Sequence, residues 1–139
     1  MTSRNFATLL IMFLFAIGFV LFVSPSVFAR DVGQWANADP TINAWYQGLM
    51  QPDYPALSCC GHSDAYWCDE IHIRDSKTYC NITDDRPDDP LVRPHIDIGT
   101  EVFIPDYKLK WDNGNPTGHA IVFMGKYGNV YCFVQSGGA

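Results

Sequence analysis

Ser58-Cys59-Cys60-Gly61-His62-Ser63-Asp64-Ala65-Tyr66-Trp67-Cys68-Asp69 gathers three of the chain's five cysteines, one of its four histidines and two carboxylates into twelve residues. How these cysteines are used decides the fold, because a short chain gains much of its stability from staples or a metal. Directly after this stretch the apolar period becomes two. Glu70 to Arg74 and Thr78 to Thr83 read as strands around Asp75-Ser76-Lys77, which predicts a hairpin. Ile71 and Ile73 alternate with Glu70, His72 and Arg74, so one face is buried and one is wet. His72 is accordingly expected as an exposed strand histidine.

Upstream, Asp39 followed by Pro40 gives a helix cap with proline at the first helical position. Ile42, Trp45, Tyr46, Leu49 and Met50 then recur at helical spacing, and Pro52 stops the run. Trp45 and Tyr46 are expected in the core rather than on a sugar-stacking surface, given the area they bury. Further upstream, Arg4, the unbroken apolar run Leu9 to Val23 and Val27-Phe28-Ala29 form a signal-peptide pattern. This predicts residues 1–29 as a leader and 30–139 as a single exported domain, secreted or periplasmic. The alternative is an uncleaved anchor, since Phe6 to Val23 approaches the length of a spanning helix.

Downstream, Asp84-Asp85-Arg86-Pro87-Asp88-Asp89-Pro90 reads as a solvated acidic loop; it lacks the ligand spacing and glycine of an EF-hand. Ile96 to Pro105 contains a turn and a strand, and Asp106 to Trp111 is a helical turn or an irregular strand. His119 to Met124 and Val130 to Gln135 form a second hairpin, and Ala120 to Met124 is apolar on both faces, as a central strand requires. The expected fold class is α+β: one N-terminal helix packed on a small antiparallel sheet or barrel of two hairpins, stabilised by disulfides.

Without the leader the chain keeps eight of its nine Lys and Arg and all 15 Asp and Glu, a net charge near −7. That balance argues against nucleic acid as a partner, and against anionic membrane surfaces except through an uncleaved N-terminal segment. An envelope protein or peptidoglycan remains as the expected partner class.

Three chemistries suit the cysteine stretch. The first is a staple, since export makes disulfides the default. Five cysteines allow fifteen ways of forming two bridges, with one sulfur left over. A vicinal Cys59–Cys60 bridge would strain the intervening peptide, so each is expected to pair elsewhere, if at all. The second is a zinc or copper site, for which Cys60, His62 and Cys68 are the ligands, although the paired spacing of a structural zinc site is incomplete. If the staple reading holds, no cofactor is needed. The third is a nucleophilic thiol at Cys59 or Cys60 with His119 as its base.

A resemblance bears on the third. Ile98-Gly99-Thr100-Glu101-Val102-Phe103-Ile104, Gly118-His119-Ala120-Ile121-Val122-Phe123-Met124-Gly125 and Gly128-Asn129-Val130-Tyr131 together resemble the C-terminal half of the NlpC/P60 and CHAP peptidases. The resemblance implies Cys59 as nucleophile, His119 as base and Gln135 or Asn129 as orienting group, in thiolate attack on a cell-wall peptide amide. The chain departs from that pattern after Gly61, where the family continues into a long helix and this chain enters a hairpin. A second resemblance spans most of the exported part. Trp45-Tyr46, Leu49, Gln51-Pro52, Ser58-Cys59-Cys60, Trp111, Val130 and Cys132-Phe133 are similar to a group of small, uncharacterised secreted proteins of soil bacteria. It implies export and no particular activity. The favoured reading is a disulfide-stabilised binding or structural module.

Overall fold

The computed structural model describes residues 39–112 and 114–137. The expected leader, residues 1–29, and its anchor alternative lie outside the described residues. Among the described residues, no helix is long and apolar enough to cross a membrane.

The helix α1 (Pro40–Gly48) begins where the cap predicts, with the Thr41 amide donating to Asp39 Oδ1 at 2.7 Å. It ends as Leu49 turns extended and donates its amide to the Tyr46 carbonyl. Seven strands follow: β1 (Asp64–Trp67), β2 (Glu70–Arg74), β3 (Lys77–Asn81), β4 (Glu101–Ile104), β5 (Leu109–Lys110), β6 (Ile121–Met124) and β7 (Val130–Val134). A short helix α2 (Asp88–Leu91) and a 3-10 turn (Asp106–Lys108) lie between them. The fold is α+β with disulfide stabilisation.

The strands form two sheets rather than one, a four-stranded sheet in the order β1-β6-β7-β5 and a three-stranded sheet in the order β2-β3-β4. All pairs are antiparallel except β5 with β7. The period-two logic explains the stacking. In β6, Ile121 and Phe123 face Tyr46 and Leu49 of the helical side, while Val122 and Met124 join Val102 and Ile104 of the other sheet. Helix, four-stranded sheet and three-stranded sheet are thus consecutive layers, and β6 is buried on both faces. Trp45 and Tyr46 belong to this core: Tyr46 meets Phe123 edge-on at 6.0 Å, and Trp45 Nε1 donates to Asp112 at 2.9 Å.

One disulfide serves each interface. Cys59–Cys132 ties the segment after α1 to β7, and Cys68–Cys80 ties the β1–β2 connection to β3. Each contributes about 2–4 kcal/mol by restricting the unfolded chain. The first hairpin turns at Asp75-Ser76, both with positive φ, so Lys77 begins β3 instead of ending the turn. Left-handed backbone at both central positions is what a two-residue turn between twisted strands demands.

The acidic loop departs from expectation. Asp84 is buried, at 6% exposure, not solvated. It is held by Arg86 at 2.6 Å and Arg93 at 2.5 Å, and Arg93 reaches Asp88 at 2.7 Å. A run of charges predicts solvent only when no opposite charge waits within reach; here Arg86 and Arg93 were that partner. Desolvation pushes the Asp84 carboxyl up, but hydrogen bonds from Arg86, Arg93 and the Trp67 amide outweigh it and hold the carboxyl well below the usual range.

Candidate functional site

The cysteine stretch divides among different tasks. Cys59 is bonded to Cys132 and Cys68 to Cys80, so neither sulfur is a thiol here, and the nucleophile place implied for Cys59 is taken by a staple. The same bond takes the Cys68 sulfur out of the ligand set Cys60, His62 and Cys68. Cys60 is the free cysteine among the described residues. Its thiol donates to the Tyr46 carbonyl at 3.3 Å, and burial pushes it up to about 12. His62 is exposed, and among the described residues no group of three or more His, Cys, Asp or Glu side chains gathers where a metal ion could sit.

His119 is held by a residue to which sequence reading assigned no role. Its Nδ1 lies 2.9 Å from Asp69 Oδ2, while Asp69 Oδ1 accepts the Ala120 amide at 2.7 Å. Thr83 Oγ1 donates to the same carboxylate at 2.9 Å, and the imidazole stacks on Trp67 with centroids 3.8 Å apart. This fixes the ring's plane and leaves Nε2 as the nitrogen without a partner among the described residues. Gln135, the expected orienting group, engages through its main-chain carbonyl, which accepts from Asn115 Nδ2 at 2.8 Å. Asp69 was visible in the sequence as the carboxylate after Cys68; only the return of β6 beside β1 brings it to His119.

The outer face of the three-stranded sheet carries a second constellation. Strand register places Glu70, Asn81 and Glu101 in one row and His72, Tyr79 and Phe103 in the next. His72 and Tyr79 lie 5.7 Å apart between centroids, and Tyr79 and Phe103 5.5 Å apart. Arg74 lies over the Tyr79 ring at 4.4 Å and grips Glu101 with both terminal guanidinium nitrogens, at 2.8 and 3.2 Å. His72 Nε2 reaches Glu101 Oε2 at 2.9 Å. Hydrogen bonds from Arg74 and His72 lower the Glu101 carboxyl. The result is a rigid strip of rings and charges, open to solvent, with Phe103 at 46% exposure. Cross-strand rows of this kind stabilise a sheet by a few tenths to about 1 kcal/mol per pair. They also present aromatic and guanidinium surface whose rotamers are already fixed, which lowers the ordering cost of binding. The alternation at His72 predicted a buried isoleucine face and an exposed histidine, but burial runs the other way. Ile71 and Ile73 are exposed because β2 is an edge strand, while His72 is half-buried against its cross-strand neighbours, and those neighbours, Tyr79 and Phe103, required the register.

No family model matches the chain, and no curated protein or solved structure matches it either.

Proposed function

We propose that the protein is an exported binding module of the cell envelope, secreted or periplasmic, with the outer face of β2-β3-β4 as its contact surface and another envelope protein as its partner. The observation that carries this reading is the solvent-facing strip of half-buried His72 and Tyr79 with exposed Phe103 and Arg74, braced by Glu101. Tyr and Arg are the side chains that most often anchor protein interfaces, with ordered neighbours excluding water around them. Arg74 covers the Tyr79 ring, so the strip offers mixed polar and aromatic relief rather than the bare ring plane on which a sugar stacks. The two disulfides suit an oxidising compartment, and the leader-like N-terminal segment supplies the route.

The test is retention on two supports: envelope protein fractions and peptidoglycan sacculi stripped of protein. Wild type is expected to be retained by the first, with protease treatment of the support abolishing it, and Phe103→Ala is expected to weaken retention at least tenfold. Retention on stripped sacculi alone would overturn the choice of partner. Equal retention of wild type and Phe103→Ala would overturn the choice of surface.

A second reading, a Cys/His peptidase or amidase acting on cell-wall peptides, draws on the Asp69–His119 pair, since a carboxylate-held imidazole with a free Nε2 is the form a general base takes. Against it stands the thiol: burial pushes Cys60 up to about 12, which disfavours the thiolate that such a nucleophile needs at neutral pH. Hydrolysis of stem peptides by wild type, lost in both Cys60→Ser and His119→Ala, would establish this reading over the first.

A further inference from the structure

We propose that β2 is a self-association edge through which two copies of the chain join their three-stranded sheets into one six-stranded sheet about a two-fold axis at His72. The argument starts from the backbone. The two-residue turn Asp75-Ser76 makes Arg74 and Lys77 a hydrogen-bonded pair, and antiparallel alternation then makes His72–Tyr79 and Glu70–Asn81 hydrogen-bonded pairs as well. The main-chain groups of Ile71 and Ile73 therefore point away from β3, toward the open side of β2, where no strand lies among the described residues. The Ile71 amide is taken locally by the Asp69 carbonyl at 3.1 Å. The Ile73 amide and the carbonyls of both isoleucines have no partner among the described residues.

The side chains identify the occupant. Read in either direction, Glu70-Ile71-His72-Ile73-Arg74 is its own antiparallel complement. Centred on His72, a second copy places Arg74 opposite Glu70 at both ends and Ile73 opposite Ile71 in between. In that register Ile71 and Ile73 form the hydrogen-bonded pairs, so each Ile73 amide meets the carbonyl of the other copy's Ile71, and His72 faces His72 in a non-hydrogen-bonded pair. The same pairing buries Ile73, 74% exposed, against Ile71, 41% exposed. Edges are commonly blunted against pairing by lysines, a proline, a bulge or a covering segment. This one carries opposite charges at its two ends and exposed isoleucines between them, which repels no second copy. A five-residue edge buries much less than the roughly 1,600 Å² of a typical stable complex, so the dimer is concentration-dependent, not obligate. The inference does not depend on what binds the outer face.

Sedimentation equilibrium of the oxidised protein from about 10 μM to 1 mM tests it. The weight-average mass of wild type is expected to rise toward twice the monomer. Glu70→Arg, an exposed change, makes both symmetric end pairs like-charged and is expected to weaken association about tenfold. Ile73→Pro removes the two central amide donors and is expected to abolish it. Mixing Glu70→Arg with Arg74→Glu restores opposite charges at both ends of a heterodimer, so the mixture is expected to associate more strongly than either variant alone. A wild type that stays monomeric at 1 mM, a dimer indifferent to Glu70→Arg and Ile73→Pro, or a mixture that associates no better than its components would each overturn the proposal.

Discussion

Two sheet edges in this molecule receive opposite treatment. The free side of β1 is sealed by charge: the Ala65 carbonyl accepts from Arg86 at 3.2 Å and Arg93 at 2.9 Å, and the Trp67 amide donates to Asp84 at 3.1 Å. The Thr83 amide takes the Trp67 carbonyl at 3.0 Å. Among the described residues, the free side of β2 has no such cover over Ile73. The same chain therefore contains the means to close an edge and uses it at β1 but not at Ile73. What separates the two is position in the stack. β1 belongs to the central layer, where an unmet main-chain group would be desolvated by the loop crossing it, whereas β2 lies at the margin of the outer layer, where water can satisfy it.

The largest effect is expected from breaking the seal. Asp84→Ala leaves Arg93 buried with only Asp88 for charge partner and frees the Trp67 amide, and should cost about 3–5 kcal/mol in chemical denaturation. A loss below about 1 kcal/mol would mean that the carboxylate is ornament to an edge held by other contacts. Next comes the staple between the segment after α1 and β7. Replacing Cys59 and Cys132 together by alanine should lower stability by about 2–4 kcal/mol, with alkylation of the unfolded wild type labelling Cys60 alone.

The seal also has a pH signature. The Asp84 carboxyl is lowered in the folded state, so its contribution is complete above its unfolded value and is lost as pH falls through the folded one. Stability should therefore decline below about pH 4, and Asp84→Asn should flatten that decline. Amide exchange compares the edges directly: in dilute protein the Trp67 amide should exchange at least a hundredfold more slowly than that of Ile73, and raising the concentration should slow Ile73 alone. The smallest effect belongs to His95, at the outer end of the same charged network. Hydrogen bonds to Asp88 and Asp97 raise it. Its contribution is present below its unfolded value and lost as pH rises through the folded one, so His95→Gln should remove a slight loss of stability between about pH 6 and 8.

Much of the secondary structure was legible locally. Asp39-Pro40 and the spacing of Tyr46 and Leu49 announce α1, and the alternation around His72 announces β2. β1 was not legible: Asp64 to Trp67 is four residues inside a stretch dominated by cysteines, and its status as a strand rests on pairing with Ile121 to Met124, over fifty residues later. The division into two sheets escaped for the same reason, since hairpins read one at a time do not disclose which faces meet. Of the site residues, His119 was visible as a candidate base, but its pairing with Asp69 was not.

Length, cysteine number and leader-like opening come from composition and short motifs, and so do the helix and the hairpins, because caps, turns and periodicity act between residues close along the chain. The choice of Cys132 for Cys59 and Cys80 for Cys68 was decided only by tertiary structure, as were the burial of Asp84 between two arginines, the Asp69–His119 pair and the contrast between a sealed edge and an open one. Each of these depends on which distant backbone segments become neighbours and on what water they exclude, and neither is written in any window of sequence short enough to read.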